Sequence, residues 1–156
     1  MTPAIKLAEQ HNIHHQVKSY EHDAKCQSYG LEAAEKLAVA PACIYKTLVI
    51  KLDGKQLAVA IVPVMASLNL KYIAKALQAK KAVMADANEV QRSTGYILGG
   101  VSPLGQKKPL PTVLDASAEQ YDTIYVSAGK RGLEIALAPR DLLTLTAGFT
   151  AAIAQF

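Results

Sequence analysis

Along this chain apolar residues follow two rhythms, every second position or every third to fourth. Glycine, proline and aspartate mark where one gives way to the other. Thr2-Pro3 joins a capping hydroxyl to a proline at the first helical position, and Ile5, Leu7 and Ala8 continue a short helix to about His11-Asn12. His15, Val17 and Ser19 alternate with Gln16, Lys18 and Tyr20, the pattern of a strand with one polar face. Leu31, Ala34, Leu37 and Ala38 return to helical spacing before Pro41. Tyr45 to Leu52 and Gln56 to Val62 are the strongest strand signals, and Asp53-Gly54 between them is the dipeptide that tight hairpins favour because both turn residues need positive φ.

Leu70, Ile73, Ala74 and Leu77 predict an amphipathic helix capped by Ser67 or Asn69. A short strand is expected over Ala82 to Met84. Asp86 to Glu89 opens a further helix with a capping-box pattern, and Gly95 closes it. Tyr96 to Pro111 (YILGGVSPLGQKKPLP) is too rich in glycine and proline for a regular element. Strands follow over Thr112 to Leu114, Thr123 to Ser127 and Leu133 to Leu137, and Pro139 opens a last helix through Leu145. With no repeat or linker, residues 1–156 read as one α/β domain built on a mixed, mostly antiparallel sheet flanked by helices. Strict βαβ alternation is missing, which argues against a doubly wound nucleotide-binding fold.

Composition narrows this picture only a little. A hydrophobic fraction of 51% and a charged fraction of 19% belong to an ordinary globular chain. The longest apolar stretch, Leu57 to Leu68, is interrupted by Pro63 and Ser67 and is too short to cross a bilayer. No signal-like segment opens the chain, and Cys26 and Cys43 lack CxxC spacing, so reduced thiols and a cytoplasmic setting are expected. The net charge of +4 suits a phosphate-bearing partner without demanding one. The basic residues include Lys71, Lys75, Lys107, Lys108, Lys130 and Arg131.

Familiar catalytic patterns fail. Gly100 to Lys107 imitates a phosphate loop, but Gln106 separates the second glycine from the lysine and Pro103 removes an N–H donor. His11, His14, His15 and His22 have no metal-ligand spacing, and neither a GxSxG elbow nor a Cys–His arrangement is present. No metal and no cofactor is expected.

Four blocks then stand out in order: Tyr45-Lys46-Thr47-Leu48, Gln91 to Tyr96, Gly99 to Gly105 (GGVSPLG) and Ser127 to Gly132 (SAGKRG). Together they resemble YbaK proteins, trans-acting aminoacyl-tRNA editing domains related to the insertion domain of bacterial prolyl-tRNA synthetases. The resemblance runs from Met1 to about Leu145 and leaves Thr146 to Phe156 without a function. It implies a sheet curled towards a barrel, with a pocket between sheet and loops. It also implies hydrolysis of Cys-tRNA(Pro), a product that prolyl-tRNA synthetase makes because a methylene-scale difference gives a binding pocket only about 1–3 kcal/mol of discrimination. The implied partners are the tRNA acceptor end and prolyl-tRNA synthetase, with no membrane and no DNA.

By itself a strand lysine is a surface residue, but the resemblance makes Lys46 catalytic, its ammonium set against the ester carbonyl or the terminal phosphate. Gly99 and Gly100 are the other catalytic candidates, offering backbone N–H groups to an oxyanion together with Val101, Ser102 and Pro103 of the same loop. Tyr20, Thr47, Ser127, Gly129 and Glu134 are expected to line the substrate pocket, although Glu134 could instead pair with Lys130 or Arg131. Without a nucleophile of its own, the enzyme would use the thiol of the substrate cysteine. Two alternatives remain at this point: an Ala-tRNA(Pro) deacylase of the same fold, and a non-catalytic RNA-binding module.

Overall fold

The computed structural model describes residues 1–25 and 29–156. Helix α1 (Pro3–Gln10) is capped by Thr2, whose Oγ1 accepts the Ile5 N–H at 3.3 Å. After β1 (His15–Ser19) and α2 (Tyr29–Leu37) comes the hairpin of β2 (Tyr45–Leu52) and β3 (Gln56–Pro63). Its turn has Asp53 at φ 50° and Gly54 at φ 69°, the left-handed pair that the dipeptide predicts. The Lys55 N–H closes it by donating to the Leu52 carbonyl at 2.9 Å. Then follow β4 (Ser67–Leu68), α3 (Leu70–Ala76), β5 (Ala82–Met84) and α4 (Ala87–Thr94). Asn69 rather than Ser67 caps α3, its side chain accepting the Tyr72 N–H at 3.0 Å. Asp86 caps α4 and Gly95 ends it in the left-handed conformation, as their spacing predicts. The long loop is irregular from residue 95 to 111, and β6 (Thr112–Asp115), β7 (Ile124–Lys130), β8 (Leu133–Leu137), α5 (Pro139–Thr146), β9 (Phe149–Ala151) and β10 (Ala154–Gln155) complete the chain.

The α/β class is as read from sequence, but the strands do not close into a barrel. They divide into a five-stranded sheet in the order β5-β2-β3-β6-β9, a three-stranded sheet β1-β8-β7 and a two-stranded pair β10-β4. Pairing is antiparallel except for β3–β6 and β6–β9. One core lies between the two larger sheets and α1, and includes Tyr45, Val59, Ile61, Leu114, Ile124, Val126 and Ile135. A second core, with Ile50, Ala60, Val62, Ile73 and Ile153, covers the other face of the five-stranded sheet beneath α3. Each fully buried aliphatic side chain contributes on the order of 1.5–3 kcal/mol.

The tail that sequence left unassigned belongs to the sheet system. Strand β9 extends the five-stranded sheet beside β6, and β10 pairs with β4. Ile153 is fully buried between them. The buried Asp115 carboxylate accepts the Ile153 N–H at 2.9 Å and the Ala154 N–H at 2.8 Å. Burial would raise this carboxyl, but the hydrogen bonds from Ser117, Ile153 and Ala154 outweigh it and hold it below the ordinary aspartate range. Ile153→Ala should therefore destabilise the protein by about 2–5 kcal/mol, read as a lower urea midpoint at unchanged slope. A midpoint equal to wild type would mean that the tail contributes nothing to the core.

Candidate functional site

Strand β2 is paired with β3 along all eight residues, from Tyr45↔Pro63 to Leu52↔Gln56. On its other side β5 pairs only with Ile50, Lys51 and Leu52, and a single bridge joins Ile44 to Tyr125. Between these contacts, Lys46 to Leu48 have no strand beside them among the described residues. A cavity of about 310 Å³ lies here and touches every residue from Ile44 to Leu48. Its volume is at the small end for ligand sites. Alternation along the strand fixes which backbone groups face it. The Ile44 carbonyl accepts from Val64 on the β3 side, whereas the Val49 carbonyl accepts from Ala85 on the other. The N–H and C=O of Thr47 therefore face the open side.

The opposite wall is one face of the three-stranded sheet. Ser127 pairs with Glu134, and Glu134 with Lys18, so their side chains stand together on that face, away from the core face of Val126 and Ile135. Glu134 is buried and has no hydrogen bond or ion pair among the described residues; it is paired with neither Lys130 nor Arg131. Burial pushes its carboxyl up to about 7. Half-buried Lys46 likewise has no partner among the described residues, and burial lowers its ammonium pKa. Thr47 Oγ1 is closed off from solvent and has no hydrogen-bond partner among the described residues. Buried polar atoms are normally satisfied, so three unpartnered groups around one cavity mark a place for a polar ligand.

Of the residues expected from sequence, Tyr20, Lys46, Thr47, Gly99, Val101, Ser127 and Glu134 converge on this cavity. Gly100, Ser102, Pro103 and Gly129 do not line it. The Gly100 N–H donates to Ile97 O at 2.9 Å and is not free to hold an oxyanion. Its Cα lies so near the β7–β8 turn that a Cβ would stand 2.7 Å from Lys130 Cα. Ser102 is fully buried, and its Oγ accepts the Leu104 N–H at 3.2 Å. Pro103, also buried, has no N–H to offer. Gly129 has φ 116°, and a side chain there would strike the Tyr96 ring at 2.8 Å. Gly100 and Gly129 let the loop pack closely on β7 and its turn, and Ser102 braces the loop internally. Of the loop residues expected at the site, Gly99 and Val101 are the two that line the cavity.

Sequence reading missed the brace beside the cavity. Glu32 on α2 is buried; it meets His22 Nδ1 at 2.6 Å and Lys36 Nζ at 3.2 Å, and accepts the Asp23 N–H at 2.8 Å. Burial alone would raise its carboxyl, but the hydrogen bonds from His22, Asp23 and Lys36 overcome this and hold it at about 2. His22 Nε2 is 3.3 Å from Arg131 Nη1, and Lys36 Nζ lies 5.9 Å from the centre of the Tyr20 ring. The network ties α2 to the turn at Arg131 and to Tyr20, both of which line the cavity. Only the Glu32–Lys36 spacing of four was legible beforehand. Elsewhere, Cys43 is a free, half-buried thiol outside the cavity lining, and Cys26 lies outside the described residues. Among the described residues no three His, Cys, Asp or Glu side chains are placed to share a metal ion, and no helix is long and apolar enough to cross a membrane.

Residues 26–145 match the family described as the aminoacyl-tRNA editing domain. Over 148 residues, covering 94% of this chain and 89% of the relative, the sequence is 42% identical to a protein of Enterococcus faecalis provisionally named Cys-tRNA(Pro)/Cys-tRNA(Cys) deacylase EbsC. Over 111 residues, 71% of this chain and 70% of the relative, it is 31% identical to the uncharacterised protein YwhH of Bacillus subtilis. A solved structure provisionally described as a trans-editing enzyme for prolyl-tRNA synthetase superposes with a TM-score of 0.87. It covers 99% of this chain and 96% of its own at 23% identity, a likeness of fold.

The raised Glu134 carboxyl has a consequence for stability. Folding keeps on Glu134 a proton that the unfolded chain releases above its ordinary 4.5, so this group's contribution is full below 4.5 and is lost as pH rises through about 7. Glu134→Gln should be near neutral in stability at pH 4 and stabilising at pH 8, by up to about 3 kcal/mol. Urea midpoints of both proteins across this range check it, and a difference independent of pH would show that the carboxyl is not buried as described.

Proposed function

The chain belongs to the aminoacyl-tRNA editing domain family, hydrolases of the aminoacyl ester, and we propose that its substrate is cysteine mis-attached to tRNA(Pro). The observation that carries this reading is the cavity itself. It gathers desolvated Lys46, protonatable Glu134 and Thr47, and among the described residues neither a cysteine nor a histidine lines it. The described residues can bind, orient and polarise, but none of them is an activated nucleophile. The thiol of a cysteinyl ester supplies one, with a few per cent thiolate at neutral pH. The name of the 42% identical relative points to the same substrate.

In this mechanism the sulfur bonds to the carbonyl carbon of its own ester while the bond from that carbon to the ribose oxygen breaks. The proton lost by the thiol ends on the ribose oxygen, and tRNA leaves with an intact 3′ end. Water then opens the strained cyclic thioester to free cysteine. Lys46 supplies positive charge to the developing oxyanion or to the neighbouring phosphate, which low solvation makes more effective. Thr47 and the loop at Gly99 and Val101 supply hydrogen-bond donors. Glu134, balanced near neutrality, is suited to carry the proton between sulfur and ribose oxygen. The exposed cations Lys130 and Arg131 at the rim accept the phosphates of the acceptor end. Prolyl-tRNA synthetase, which makes the error, is the partner we assign, in the cytoplasm.

The assay follows loss of acyl label from Cys-tRNA(Pro), Ala-tRNA(Pro) and Pro-tRNA(Pro). Rapid loss from the first alone is expected; faster loss from Ala-tRNA(Pro) would favour a water nucleophile, and binding without loss would favour an RNA-binding module. Lys46→Ala should fold normally yet lose about 100-fold or more in turnover. A folded variant with near-wild-type turnover would remove Lys46 from the mechanism.

A further inference from the structure

The cavity accounts for the aminoacyl group but not for the nucleoside to which it is esterified, and its rim carries an unexplained apolar pair. Ile97 is 70% exposed and Leu98 55% exposed, and Leu98 also lines the cavity. Side chains of this size are normally withdrawn from water when adjacent residues can bury them. Here the backbone prevents it. Tyr96 immediately before the pair is buried, its hydroxyl donating to Leu104 O at 2.6 Å, and Gly100 just after it is buried against Lys130. The Gly100 N–H to Ile97 carbonyl bond closes the two residues into a turn. The pair is thus held outward by anchors on both sides. Beside it, the Arg131 guanidinium occupies the space where a side chain at position 99 would stand.

We propose that Ile97 and Leu98 form a platform for the adenine of the 3′-terminal adenosine that every tRNA carries. This rests on the deacylase reading, because the ester links the cavity's occupant to that adenosine through a single ribose. An acyl group inside the cavity therefore leaves the base at the mouth, within reach of Leu98. A purine is a flat apolar surface that gains from contact with apolar or planar side chains, and such contact tolerates sequence. The neighbouring Lys130 and Arg131 supply charge for the phosphate on the 5′ side of the same nucleotide. Acyl group, base and phosphate would each meet a matching surface within one nucleotide's length.

The test compares two small esters, 3′-O-cysteinyl-adenosine and cysteine ethyl ester, in wild type and in Ile97→Ser and Leu98→Ser variants, with thermal melts to verify folding. Substitution of either residue should lower kcat/KM for the adenosine ester about tenfold, carried mainly by KM, and lower that for the ethyl ester several-fold less. Ile97 is the cleaner position because it lies outside the cavity lining. Folded variants that lose equally on both esters would overturn the platform while leaving the deacylase intact. A wild-type protein that cleaves neither ester, nor Cys-tRNA(Pro), would overturn the deacylase reading and the platform together.

Discussion

The site depends on one strand edge that is deliberately left half paired. Between the bridge at Tyr125 and the three residues covered by β5, β2 offers its backbone to a cavity instead of to another strand. Full pairing would have filled that space with a strand. The second sheet, the segment that follows β1 and the loop at Gly99 instead form walls around it, each carrying one kind of chemistry: the Glu134 carboxyl, the aromatic ring of Tyr20 and the backbone of the loop. Division of the strands into separate sheets, in place of one closed barrel, is the architectural form of the same constraint.

Burial without partners links this geometry to function. An ammonium and a carboxyl that met directly would satisfy each other and offer little to a substrate. Lys46 and Glu134 line one cavity without forming an ion pair, so desolvation acts on each separately, lowering one pKa and raising the other. That arrangement costs stability in the empty protein and is offset by the cores on both faces of the five-stranded sheet. Glu32 makes the contrast. It is buried too, but three donors satisfy it, and its role is to fasten α2 to the rim.

Much of the fold was legible because local signals agreed with one another. The Asp53-Gly54 turn, the Asp86 cap, the Gly95 stop and the alternation in the hairpin each had a single physical solution. The tail was not legible: β9 and β10 span three and two residues, and alanine-rich Phe149 to Gln155 hides its alternation until Asp115, far away in sequence, accepts its backbone. For the site, the motif blocks identified the right stretches of chain but could not tell lining residues from supports. Gly99 and Gly100 read alike, yet one faces the cavity while the other spends its N–H on Ile97. Glu32, His22 and Leu98 carried no motif, because their importance arises only when α2, the β7–β8 turn and the long loop meet.

The central claim is that the cavity, which has no activated nucleophile among the described residues, borrows one from its substrate. Serine differs from cysteine by one atom and fits the same space, but its hydroxyl is far less ionised at neutral pH and cannot attack without a strong base. Single-turnover hydrolysis of Cys-tRNA(Pro) and Ser-tRNA(Pro) at matched occupancy therefore tests the claim directly. The account predicts rapid loss of cysteine and slow loss of serine, and equal rates would contradict it by showing that water attacks both esters.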